Sequence, residues 1–144
     1  MKHRAHKFSI KFTAVLAVFA LAVSCSSPES QSQRFIQGMI ANTTKKAKLH
    51  QSNPKSPFKE IKIYQVGRTL GVIFEFTLKD PALLEKIDPK VVKQRYLTLV
   101  KRSPEAKRNA LKEMFDRGLY ILYRYKKPDG QLGLEIRIDK NDKW

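Results

Sequence analysis

One thiol, one histidine beyond the first six residues and a surplus of amines are the reactive groups this chain brings to any chemistry. Cys25 is the only cysteine among 144 residues and stands in "ALAVSCSSPES", directly after an apolar run. With no second cysteine it has no disulfide to make within the chain. His3 and His6 lie at the extreme N-terminus, which leaves His50 for the remainder. A zinc site of nitrogen and sulfur ligands needs more than that. A Ser-His-Asp arrangement would depend on His50 beside a low-complexity loop, with no glycine-framed serine anywhere. The 13 acidic residues fall at caps, turns or outward strand positions, and Asp80, Asp88 and Asp129 are accounted for by capping and turn chemistry. Neither a glycine-rich phosphate loop nor an EF-hand pattern occurs. These residue types point away from catalysis and away from a metal or a separate cofactor.

Cys25 gains meaning from what precedes it. Lys2, Arg4, Lys7 and Lys11 form a positive head, an apolar stretch runs from Phe12 to Val23, and small residues lead to the cysteine. The stretch is too short for a bilayer-spanning helix, which needs roughly 20 apolar residues. Residues 1–24 therefore read as the leader of an exported precursor. Ala22-Val23-Ser24 satisfies the small-x-small rule of ordinary signal peptidase, which would give a soluble secreted or periplasmic product. Leu21 to Cys25 also resembles the lipobox of bacterial lipoproteins, although Ala22 stands at the third position before the cysteine, where leucine is usual. That resemblance implies a diacylglycerol thioether on Cys25 and an acyl chain on its amine. A lone thiol placed just after the apolar run favours lipidation. Ser26 is not the aspartate of an inner-membrane retention signal, so the expected location is the outer membrane, with the domain facing the periplasm.

Without the leader the chain carries 25 Lys and Arg against 13 Asp and Glu, a formal charge of +12. Such a charge draws a protein toward polyanions. The densest basic residues are Lys45, Lys46 and Lys48, then Lys101, Arg102, Lys107 and Arg108; these are the candidate anion-binding positions. Nucleic acid is the least expected ligand, because an exported, membrane-tethered protein seldom meets it. Anionic lipid or lipopolysaccharide phosphates lie within an anchored domain's reach.

The elements that must position these groups form a single domain over residues 34–144. Residues 25–33 read as the lipidated cysteine and a flexible polar tether. Phe35, Ile36, Met39 and Ile40 share one helical face, although Gly38 and Thr43-Thr44 predict an early end or a bend. "QSNPKSP" is a loop. "KEIKIYQV" and "TLGVIFEFTL" read as strands joined across Gly67-Arg68, the second with one buried face. Asp80-Pro81 and Asp88-Pro89 pair a cap with a first helical residue, and a helix follows from Pro89 to Arg102 with Val92, Tyr96, Leu99 and Val100 inward. Ser103-Pro104 opens another helix in the same manner, with Ala106, Ala110, Leu111, Met114 and Phe115 inward and Gly118 closing it. "LYILYRY" and "QLGLEIRID" flank the turn Lys127 to Gly130. The expected fold is α+β, in the order helix, hairpin, helices, hairpin, with an antiparallel four-stranded sheet and helices packed on one face.

"SPEAKRNALKEMFDRGLYILYRYKKPDGQLGLEIRID", residues 103–139, together with the preceding elements and the leader, resembles the beta-type pilotin lipoproteins of type II secretion systems. It is also similar to a broad set of uncharacterised envelope lipoproteins. The pilotins often carry two cysteines that staple the last hairpin; this chain has none near Ser103 to Arg108 or Lys143-Trp144, which leaves the hairpin to packing. The resemblance implies an escort that binds a segment of a secretin-type protein and takes it to the outer membrane. Phe74, Phe76, Tyr123 and Tyr125 would then floor a groove between helix and sheet for an amphipathic partner helix.

Overall fold

The computed structural model describes residues 27–142. Residues 1–24, read above as a leader, Cys25 and Trp144 lie outside them. Helix α1 (Pro28–Gln51) leads to strands β1 (Phe58–Gln65) and β2 (Gly71–Leu78). A 3-10 turn (Pro81–Lys86), α2 (Pro89–Arg102) and α3 (Glu105–Asp116) follow, and β3 (Tyr120–Lys126) and β4 (Leu132–Ile138) end the chain. The fold is α+β.

Local chemistry explains most of these boundaries. Asp80 Oδ1 accepts from Ala82 N at 2.9 Å and Asp88 Oδ1 from Lys90 N at 2.8 Å, each beside a proline that starts its turn. Gly118, at φ +108°, closes α3: its N–H donates to Phe115 O, and Leu119 N–H donates to Met114 O. This is the six-residue closure that needs a left-handed residue just past the helix end. Between β3 and β4, Gly130 takes φ +87°, and Asp129 Oδ1 accepts from Gln131 N at 2.9 Å.

Four expectations are corrected. The flexible tether does not extend to residue 33, because α1 is already helical at Pro28. Ser27 caps it through Ser30 N, Pro28 occupies its first turn, and Ser32 is only 3% exposed. Arg117 Nη1 fastens this start to the end of α3, donating to Pro28 O at 3.0 Å and Ser32 Oγ at 3.1 Å. Nor does α1 break at its threonines: Thr43 Oγ1 donates to Met39 O at 2.6 Å, so a buried hydroxyl is satisfied inside the helix. The opening of α3 differs too. Pro104 stands at its N-cap without a side-chain cap, while the Ser103 hydroxyl turns back to Leu99 O; Ala106 stays exposed.

The fourth correction concerns the sheet, which is mixed. Its order is β1-β2-β3-β4, with both hairpins antiparallel but β2 and β3 parallel. The helical stretch between them carries the chain back to the end at which β2 began, so Gly71 pairs with Tyr120 and Thr77 with Lys126. Parallel neighbours require a crossover of at least about a dozen residues, and the α2–α3 stretch supplies it. As an inner strand, β2 is buried on both faces.

On one face Ile61, Ile63, Val72, Phe74, Phe76, Ile121, Tyr123, Tyr125, Ile136 and Ile138 form a single core with Ile36 and Met39 of α1, Tyr96 and Val100 of α2, and Leu111 and Phe115 of α3. Tyr96 is fully buried there, and its hydroxyl has no hydrogen-bond partner among the described residues. Burial, then the neighbouring Tyr123, pushes its pKa well above the ordinary phenol value. An orphaned buried hydroxyl costs about 1–3 kcal/mol. Tyr96→Phe is therefore expected to stabilise the domain by about 1 kcal/mol, read as a higher thermal midpoint; a lower midpoint would show that the hydroxyl has a partner, such as a buried water.

Candidate functional site

The open face of the sheet is a polar mat. Lys62, Glu75, Arg124 and Glu135 stand abreast across the four strands, alternating in sign. Arg124 Nε donates to Glu135 Oε2 at 2.6 Å, and Lys126 Nζ pairs with Glu75 Oε1 at 2.8 Å. Tyr64 Oη donates to Glu75 Oε2 at 3.1 Å, and the Arg137 guanidinium lies 4.3 Å over the Tyr120 ring. Ile73 and Leu122 are buried beneath these side chains. Opposite charges directly abreast satisfy one another, which leaves this face with little excess charge to offer an ionic partner.

Burial alone would raise the pKa of the Glu75 carboxyl, but the Lys126 and Tyr64 hydrogen bonds, with the charges of Lys126 and Lys62, outweigh it and hold the value below the ordinary 4.5. A carboxyl depressed in the folded state contributes stability above its unfolded pKa and loses it as pH falls through the folded value. Urea midpoints should therefore drop as pH falls below about 4.5, and Glu75→Gln should flatten that limb. A limb as steep as wild type would remove Glu75 from this role.

Phe74, Phe76, Tyr123 and Tyr125 are brought together, but as interior. They are 4%, 1%, 3% and 1% exposed. Ring centroids lie 5.1 Å apart for Phe74–Tyr123 and Phe76–Tyr125, and 6.2 Å for Phe76–Tyr123. The helices cover these rings, so they do not floor an open groove. Between α1 and α3 a crevice lined by Gln31, Phe35, Ala110, Glu113, Met114 and Arg117 holds only about 30 Å³, roughly the share of one water molecule in the liquid.

The two basic clusters fare differently. Lys45, Lys46 and Lys48 are exposed in the C-terminal half of α1, where cations favour the helix dipole, and none of them lines the recess described next. Lys101 and Arg108, from facing ends of α2 and α3, do meet. With Asn109 and Lys112 they line a recess of about 290 Å³. Arg102 and Lys107 are not among its lining residues. Asn109 and Lys112 escaped the sequence reading, although Lys112 follows Arg108 at the i, i+4 spacing that places two residues on one helix face.

The corner is held by its own hydrogen bonds. Arg108 Nη1 donates to Lys101 O and Ser103 O, both at 3.0 Å. Ser103 Oγ donates to Leu99 O at 3.0 Å and Ser103 N to Val100 O at 3.0 Å. The carbonyls of Leu99, Val100 and Lys101, three of the last four of α2 at the negative end of its dipole, are thereby occupied from within. Among the described residues Lys101, Arg108 and Lys112 take part in no ion pair, and no group of three or more His, Cys, Asp or Glu side chains is placed to hold a metal.

No protein-family model, no curated protein and no solved structure matches this chain. Among the described residues no helix is long and apolar enough to cross a membrane.

Proposed function

We propose that this protein is a non-enzymatic envelope lipoprotein, held at the outer membrane by a lipid on Cys25, whose helical layer engages anionic partners in the envelope. The observation that carries this reading is the charge of the layer. α2 bears Lys90, Lys93, Arg95, Lys101 and Arg102 with no carboxylate of its own; Lys93 is matched by Asp142. The α2–α3 corner opens into a recess lined only by cations and an amide. Fixed cations around a concavity concentrate anions, an attraction that ionic strength weakens. The pilotin-like escort reading relied on a groove floored by Phe74, Phe76, Tyr123 and Tyr125, and those rings are sealed in the core, so the anionic reading has the stronger geometric support.

Salt separates the two. Capture from detergent-solubilised envelopes by the tagged full chain is expected to recover phosphate-bearing lipid or glycolipid, detected by phosphorus analysis and mass spectrometry. That recovery should fall steeply between roughly 50 and 300 mM salt, as screening shortens the reach of exposed charges. Salt-resistant recovery of a secretin-type protein, with no phosphate-bearing lipid, would put the escort reading in its place.

A further inference from the structure

We infer that the recess between α2 and α3 is a binding site for a phosphate group, with Lys101 and Lys112 as its charge-bearing ligands, Asn109 as a neutral donor and Arg108 as its fixed wall. The inference rests on the anionic reading above and gives it a place and a ligand class. Size and lining set the class. A recess of about 290 Å³ stands at the small end of the range for ligand pockets, which are mostly apolar and aromatic. This one is lined by Lys101, Arg108, Asn109 and Lys112 alone, so its functional groups are donors and positive charges, and the apolar surface it has is that of the aliphatic stems that carry them. Two ammonium groups and a guanidinium match the several acceptor oxygens of a phosphate better than the two of a carboxylate.

Preorganisation is the second argument. Arg108 is half-buried, and its Nη1 is committed to Lys101 O and Ser103 O. Its plane is thus fixed before any ligand arrives, while Nε and Nη2 remain as donors. These hydrogen bonds, with those of Ser103, occupy the carbonyls of Leu99, Val100 and Lys101, which would otherwise repel an anion at the C-terminus of α2. Glu105 is the one carboxylate between residues 101 and 112, and it is absent from the lining.

The test is a titration of the full chain, in neutral sugar-detergent micelles at low salt, with inorganic phosphate and with glycerol 1-phosphate, followed by backbone amide NMR. Saturable shifts confined to residues 101–112 are expected. The double variant Lys101→Gln, Lys112→Gln should bind at least about tenfold more weakly, with an unchanged thermal midpoint because both side chains are exposed. Shifts that do not saturate, or that spread equally over Lys45, Lys46, Lys48 and Lys90, would reduce the effect to screening and overturn the site; so would a double variant that binds like wild type. Nanodiscs of phosphatidylglycerol, compared with phosphatidylcholine, distinguish the phosphate's source. Recess shifts in the former without added phosphate assign a lipid headgroup, and shifts with glycerol 1-phosphate alone assign a soluble ester; either result supports the site. If the recess fails while envelope capture remains salt-sensitive, the wider reading stands on other cations. If both fail, both fall.

Discussion

Phe76→Ala is expected to cost about 3–5 kcal/mol of folding stability, the usual range for removing a buried aromatic ring. Phe76 is 1% exposed and lies between Phe58, at 5.0 Å between centroids, and Tyr125, at 5.1 Å, with Tyr123 beyond. Truncation would empty the space beside three rings that belong to two other strands, β1 and β3. Surrounding elements cannot close it, because β2 is an inner strand paired on both sides. Against a typical total of about 5–15 kcal/mol, the variant should be marginally folded, with a much lower urea midpoint and a raised unfolding rate. The measurement also decides between two roles. A ring on the floor of an open groove would lose partner binding on truncation and change stability little. A drop of less than about 1 kcal/mol would return Phe76 to the groove.

Cys25→Ala is expected to abolish incorporation of radioactive palmitate and to release the protein from membranes into the soluble fraction. The effect should be near total, because each buried methylene contributes about 0.8 kcal/mol and stable anchoring takes more than one acyl chain or a second signal. A diacylglycerol with an N-acyl chain meets that need, and without the thiol none of it attaches. Unchanged labelling and retention would overturn the lipid assignment. The start of α1 adds a consequence. Ser27 caps the helix only two residues after Cys25, and two residues span at most about 7 Å. A lipid on Cys25 would therefore hold the first turn of α1, and the Arg117 side chain fastened to it, close against the headgroups. The basic α2–α3 corner would ride on the same rigid body rather than swing on a long leash.

The early helix start was present in the sequence. Ser27, Pro28 and Glu29 are an N-cap, a first-turn proline and a first-turn acid, yet the low apolar content of "SSPESQSQ" outweighed them as a tether signal. Burial of Ser32 and the grip of Arg117, a residue 85 positions away in the chain, come from tertiary contact that no local window contains. The recess is a similar case. Lys101, Arg102, Lys107 and Arg108 stood out as a run, but which of them point together depends on how α3 turns away from α2 at Ser103-Pro104.

What the sequence by itself determined was everything carried by short range. The caps at Asp80 and Asp88, the closure at Gly118, the turn at Asp129-Gly130 and the alternating strands are set by side chains acting on their own or adjacent backbone. Near neighbours need no knowledge of the rest of the fold. The α+β class followed from their order. Tertiary structure alone decided that β2 and β3 run parallel, that the four aromatic rings are sealed in the core, and that Lys101 meets Lys112. A hairpin specifies its own pairing through its turn, but nothing in either hairpin records which edge will meet the other. Alternation likewise marks a strand face as apolar without recording whether a helix or a partner covers it. Here α1, α2 and α3 cover that face, and the chemistry left open to solvent is the charge on their outer side.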